Sequence, residues 1–96
     1  MEEIVLKIKY TRLVLQDLKA GYDYISHENP MGARQVMGRL EEILEHLKGQ
    51  PFIGHKGRVE GTYEVFVSGT PFIIVYQVKS ELLVIVSVLH TARKYP

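Results

Sequence analysis

Arg58, Glu64, His90 and Arg93 are the side chains of this chain best suited to hold anions or move protons. Glu64 and His90 could pass a proton as general base and general acid. Arg58 and Arg93 could grip a phosphate or carboxylate through charge-assisted hydrogen bonds. Lys94 adds a second cation beside Arg93, and Tyr95 a flat ring on which a planar group could stack. These residues bracket two apolar runs, Phe72–Val78 and Leu82–Leu89, that carry almost nothing reactive. Each also has a structural alternative. His90 could cap a strand end, Glu64 could pair across strands with a Lys or Arg, and Arg58 could anchor a turn. Arg93 and Lys94 could be solvated, and Tyr95 could pack back on the sheet.

Other constellations fall away. Gly54 to Gly61 has the glycines of a phosphate cradle but lacks the Gly-Lys-Ser/Thr ending and follows a helix pattern, not a strand. His27, His46, His55 and His90 show no metal-ligand spacing, so no zinc site and no other cofactor is expected.

The elements that must position the reactive residues are readable from periodicity. Ile4, Leu6, Ile8 and Tyr10 alternate with Val5, Lys7 and Lys9, the period of a half-buried strand. Leu15, Leu18, Tyr22 and Ile25 then recur at three and four, predicting a helix over Thr11–Ser26 with Thr11 as its cap. Asn29-Pro30 opens a second helix, with Ala33, Val36, Met37, Leu40, Ile43, Leu44 and Leu47 on its apolar stripe and Lys48-Gly49 before Pro51 as its stop. So short a link makes the two helices an antiparallel hairpin. Pro51–Gly57 reads as a loop, followed by strands over Arg58–Val67, Pro71–Val78 and Leu82–Leu89 joined by hairpin turns. The order β-α-α-β-β-β predicts an α+β domain with an antiparallel sheet packed on the helical hairpin. Both late strands are apolar on both faces, whereas two helices can cover one. A partner is expected on the other.

Composition narrows the class. Ninety-six residues with 46% hydrophobic and 24% charged side chains make one globular domain. The absence of cysteine fits a reducing compartment, and the N-terminus shows no secretory pattern. No apolar run approaches the ~20 residues a membrane span needs, so a cytoplasmic protein is expected. The net charge is +1, with six Lys/Arg against eight Asp/Glu in residues 1–47 and six against three in 48–96. That is short of the basic stripe of a nucleic-acid-binding domain.

Three segments in order carry a resemblance: NPMGAR at 29–34, GRVEGTYEVFVSGTPFIIVYQV at 57–78 and VSVLHTARKYP at 86–96. Together they resemble the RelE/ParE superfamily of type II toxins, and the GTYE, TPFIIVY and LHTAR order is similar to ParE-like members more than to RelE. The resemblance implies a cognate antitoxin encoded alongside, whose extended or helical segment would cover the exposed sheet face in a hetero-oligomer.

It also implies two rival activities. A RelE-like toxin cleaves messenger RNA on the ribosome. In that case Arg58, Glu64, His90 and Arg93 would be the catalytic set, with Tyr95 stacking on a base. A ParE-like toxin binds DNA gyrase and needs no catalytic centre; Arg58, His90, Arg93, Lys94 and Tyr95 would then form the target-binding surface. Weak net charge favours the second, because docking into ribosomal RNA calls for a strong positive field.

Overall fold

A computed structural model describes residues 5–90. Its elements run β1 (Lys7–Tyr10), α1 (Arg12–Glu28), α2 (Pro30–Gly49), β2 (His55–Lys56), β3 (Tyr63–Phe66), β4 (Phe72–Lys79) and β5 (Leu82–His90). The α+β architecture and the hairpin of helices are as the sequence predicts. Ile4, Arg93, Lys94 and Tyr95 lie outside the described residues.

The strands form one sheet in the order β1-β5-β4-β3-β2. The pairs β2–β3, β3–β4 and β4–β5 are antiparallel as expected, but β1 pairs with β5 in parallel, so the sheet is mixed. Short turns announce hairpins between neighbours; nothing local announces that the last strand slots in beside the first. The predicted loop at 51–57 also contains the short strand β2, and the predicted strand over Arg58–Val67 is ordered strand only from Tyr63. Residues 58–62 fold instead into a turn, in which Gly61 takes φ 84°, a conformation that favours glycine.

The core lies between the helices and one face of the sheet. Val14, Leu40, Leu44 and Leu47 from the helices meet Phe72, Ile74, Tyr76, Leu83 and Ile85 from the sheet, with Leu6 just before β1. The buried line of α1 is rotated from the expected one: Val14 is fully buried, whereas Leu15 is 53% exposed. Leu13, Tyr24 and Met31 are also exposed, leaving apolar surface on the helices. On the far face, the central Ile73 and Val75 are buried, while Phe66 is exposed. The open apolar area on the far face is therefore narrower than the strand composition predicts.

Thr11 ties two layers together. Its Oγ1 accepts from the Val14 amide (3.2 Å) and donates to the Val86 carbonyl of β5 (3.4 Å). Asn29 caps α2 in the same way, its Oδ1 accepting from the Gly32 amide. Thr11→Ala removes both contacts of the first cap and is expected to cost about 1–2 kcal/mol in urea unfolding, whereas an unchanged midpoint would mean that the cap carries nothing.

Candidate functional surface

The geometry around Glu64 is set by its loop. The Glu64 carboxylate accepts a hydrogen bond from the Arg58 backbone N–H at 3.0 Å, and the same oxygen lies 3.8 Å from Arg58 Nε. Thr62 is buried beside it, donating its hydroxyl to the Val59 carbonyl at 2.6 Å, and the Gly57 amide donates to the Thr62 carbonyl at 2.8 Å. Glu64 therefore holds the turn over residues 57–62 shut. Its side chain is 17% exposed and that of Arg58 is 64% exposed, so the guanidinium is left largely facing solvent.

The second strut of this loop is aromatic. Tyr76, fully buried, donates its hydroxyl to the Pro51 carbonyl at 2.7 Å and accepts from the Gly54 amide at 3.2 Å. Its ring stacks on Tyr63 with centroids 5.7 Å apart, and Tyr63 meets Phe52 edge-on at 5.4 Å. Burial pushes the Tyr76 phenol above its ordinary pKa, with the Gly54 hydrogen bond opposing. Neutral Tyr76 is thus the form the fold selects.

What this scaffold presents outward is mixed. Phe52, Ile53 and Val59 are exposed in the same loop as His55, Lys56 and Arg58. Sequence reasoning singled out Arg58 here and missed Phe52, Ile53 and Val59. The available signal was an apolar Phe52-Ile53 pair inside a segment otherwise readable as loop. A fixed loop with apolar and cationic groups side by side can recognise a protein surface without altering it chemically.

His90 lies elsewhere. It pairs with Phe72 across β4–β5, and the two rings meet edge-on at 5.2 Å. Phe72 belongs to the core, so His90 sits on the helix-covered face. Glu64 pairs with Val75, whose side chain points to the far face between those of the core residues Ile74 and Tyr76. Glu64 and His90 are thus on opposite faces, two strands apart and offset by about 10 Å along the strands at ~3.4 Å per residue. General acid–base work on one phosphate needs both groups within hydrogen-bond reach of the reacting atoms. The fold brings Arg58 and Glu64 together, and keeps His90 away from both.

Among the described residues, no cluster of three or more His, Cys, Asp or Glu side chains could hold a metal ion. No helix among them is long and apolar enough to cross a membrane.

Known proteins resemble this arrangement along most of its length. The family model described as "ParE toxin of type II toxin-antitoxin system, parDE" matches residues 8–95. A protein named "Putative toxin Y4kP" from Sinorhizobium fredii is 28% identical over 94% of this chain and 93% of its own length. "Toxin RelE2" from Caulobacter vibrioides is 32% identical over 91% of this chain and 97% of its own. A solved structure titled "Chromosomal ParDE TA system from P. aeruginosa" shares the fold, with a TM-score of 0.67 at 22% identity over 90% of this chain and 96% of that one. With nearly the whole described fold inside the family match, this chain belongs to the ParE toxin family of type II toxin–antitoxin systems.

Proposed function

We propose that this protein arrests growth in the cytoplasm by docking on DNA gyrase, and that an antitoxin encoded beside it keeps it silent in a hetero-oligomer. The observation that carries this reading is the separation of Glu64 from His90 by the thickness of the sheet. A ribosome-dependent nuclease needs an acid and a base converging on one phosphate. A docking toxin needs a shaped surface, and the rigid loop that offers Phe52, Ile53, Lys56 and Arg58 supplies one. Arg93, Lys94 and Tyr95 follow His90 in the chain and extend the target-binding set of the same proposal. The exposed Leu13, Leu15, Tyr24 and Met31 of the helices are the apolar surface that an antitoxin would bury.

Supercoiling by purified gyrase tests the reading. The wild-type chain is expected to inhibit it. Glu64→Gln, which removes the charge but keeps an amide oxygen able to accept from the Arg58 N–H, should inhibit within a few-fold of wild type. Arg58→Glu should weaken inhibition by about tenfold, the scale of a reversed interface charge. Gyrase left untouched at excess toxin, together with messenger-RNA cleavage in a translation extract that Glu64→Gln abolishes, would establish the nuclease instead.

A further inference from the structure

We propose that the free edge of β1 receives an extended, acidic segment of the antitoxin as a sixth strand, with its carboxylates set against Lys7 and Lys9. The inference rests on the antitoxin reading above and adds to it the place and the charge of one contact.

Main-chain parity opens the edge. The Lys7 amide donates to the Glu81 carbonyl at 2.9 Å and the Thr11 amide to that of Ile85 at 3.4 Å, so odd-numbered amides of β1 face β5. The Leu6 amide faces the other way and donates to the Lys48 carbonyl at the end of α2 (2.9 Å). Strand geometry alternates these directions, so the N–H and C=O groups of Ile8 and Tyr10 also face outward. Among the described residues no strand pairs with them, since β1 ends the sheet. An unpaired row of this kind is a template for an added strand.

Charge selects the strand. Two cross-strand rows on the far face read Lys79–Leu82–Lys7 and Gln77–Val84–Lys9. All three lysines are exposed, and Leu82 and Val84 lie between them. Side chains of a strand added beside β1 would stand directly opposite Lys7 and Lys9, where like charges destabilise and opposite charges favour pairing. A second copy of this chain, paired antiparallel through its own β1, would set lysines against lysines. A strand with Asp or Glu at alternate positions meets the rows with complementary charge and fills the hydrogen-bonding edge at once.

Two acetylated octapeptides probe the edge on the full chain, one alternating valine with glutamate and one alternating valine with lysine. In NMR hydrogen exchange, the acidic peptide should protect the Ile8 and Tyr10 amides, while the basic one leaves them exchanging freely. The double variant Lys7→Glu/Lys9→Glu should invert this preference, and Lys19→Glu on α1 should leave it unchanged. In the complex with the antitoxin, the same two amides should be protected and the double reversal should weaken binding about tenfold or more. Unprotected Ile8 and Tyr10 amides, binding indifferent to peptide charge, or a short DNA oligonucleotide outcompeting the acidic peptide would overturn the proposal. An antitoxin that fails to bind the wild-type chain would defeat the antitoxin reading, while the peptides still decide the edge.

Discussion

Tyr76→Ala is expected to destabilise the fold by about 4 kcal/mol, within the range of large-to-small changes at buried aromatics. Tyr76 is 0% exposed and reaches from the core to the loop that carries Pro51 and Gly54. Truncation empties its core volume, removes the stacking partner of Tyr63 and leaves the Pro51 carbonyl and Gly54 amide without their hydroxyl. Small domains hold roughly 5–15 kcal/mol in all, so the variant should be partly unfolded at 37 °C. Tyr76→Phe separates the two contributions. It keeps the ring and should lose about 1–2 kcal/mol, the cost of stranding partly buried polar groups. Urea unfolding gives both numbers, and amide exchange at Gly54 shows whether the loop has loosened in the phenylalanine variant. Equal stability of Tyr76→Phe and wild type would mean that the hydroxyl does not hold the loop.

Much of the frame was legible because it is written in local chemistry. Thr11, Asn29-Pro30 and Lys48-Gly49 mark helix ends that the structure places within two residues. The late hairpins follow from runs too short to connect otherwise. The phase of α1 was less legible because Leu13, Val14 and Leu15 are consecutive and all apolar, so two neighbouring stripes score alike. The structure chooses Val14, which sits over the sheet. The parallel β1–β5 pair had no local signal, since its partners are some seventy-five residues apart in sequence.

The candidate site turns on a single inserted residue. In β4–β5, Tyr76 pairs with Ile85 but Val75 pairs with Ser87, so Val86 is an extra residue in β5. Simple alternation from the core residue Ile85 would send His90 to the far face, the side of Glu64. The bulge reverses the parity and turns His90 inward beside Phe72 instead. No residue type in Val84–Ser87 marks a bulge, which is why spacing alone allowed Glu64 and His90 to share a face, whereas the fold sets them on opposite ones. The Thr11 hydroxyl donates to the Val86 carbonyl, so the helix cap and the bulge are one feature seen from two layers. Arg58 and Glu64 behave in the opposite way. Six residues apart, they gave no periodic signal of contact, yet the turn folds them together.

Gly57→Ala should cost about 2–3 kcal/mol, near the upper end for inserting a methyl into a packed site. A Cβ at this position would overlap Thr62 Oγ1 and stand 3.2 Å from Thr62 Cβ and 3.3 Å from Glu64 Oε2. Thr62 is 5% exposed and its hydroxyl is already committed to Val59, so it cannot swing away without breaking the turn. Glu64 would be pushed off the Arg58 amide in the same motion. Loop order and Arg58 placement should therefore fall together, and with them the gyrase inhibition proposed above, whereas a remote destabilisation would lower stability alone. The double variant Gly57→Ala/Thr62→Ala removes the obstructing hydroxyl. It should recover about 1 kcal/mol relative to the sum of the single changes, as coupled neighbours do in a double-mutant cycle. Strict additivity would show that the methyl strains the chain elsewhere, and the turn over 57–62 would lose its claim to be what aims Arg58.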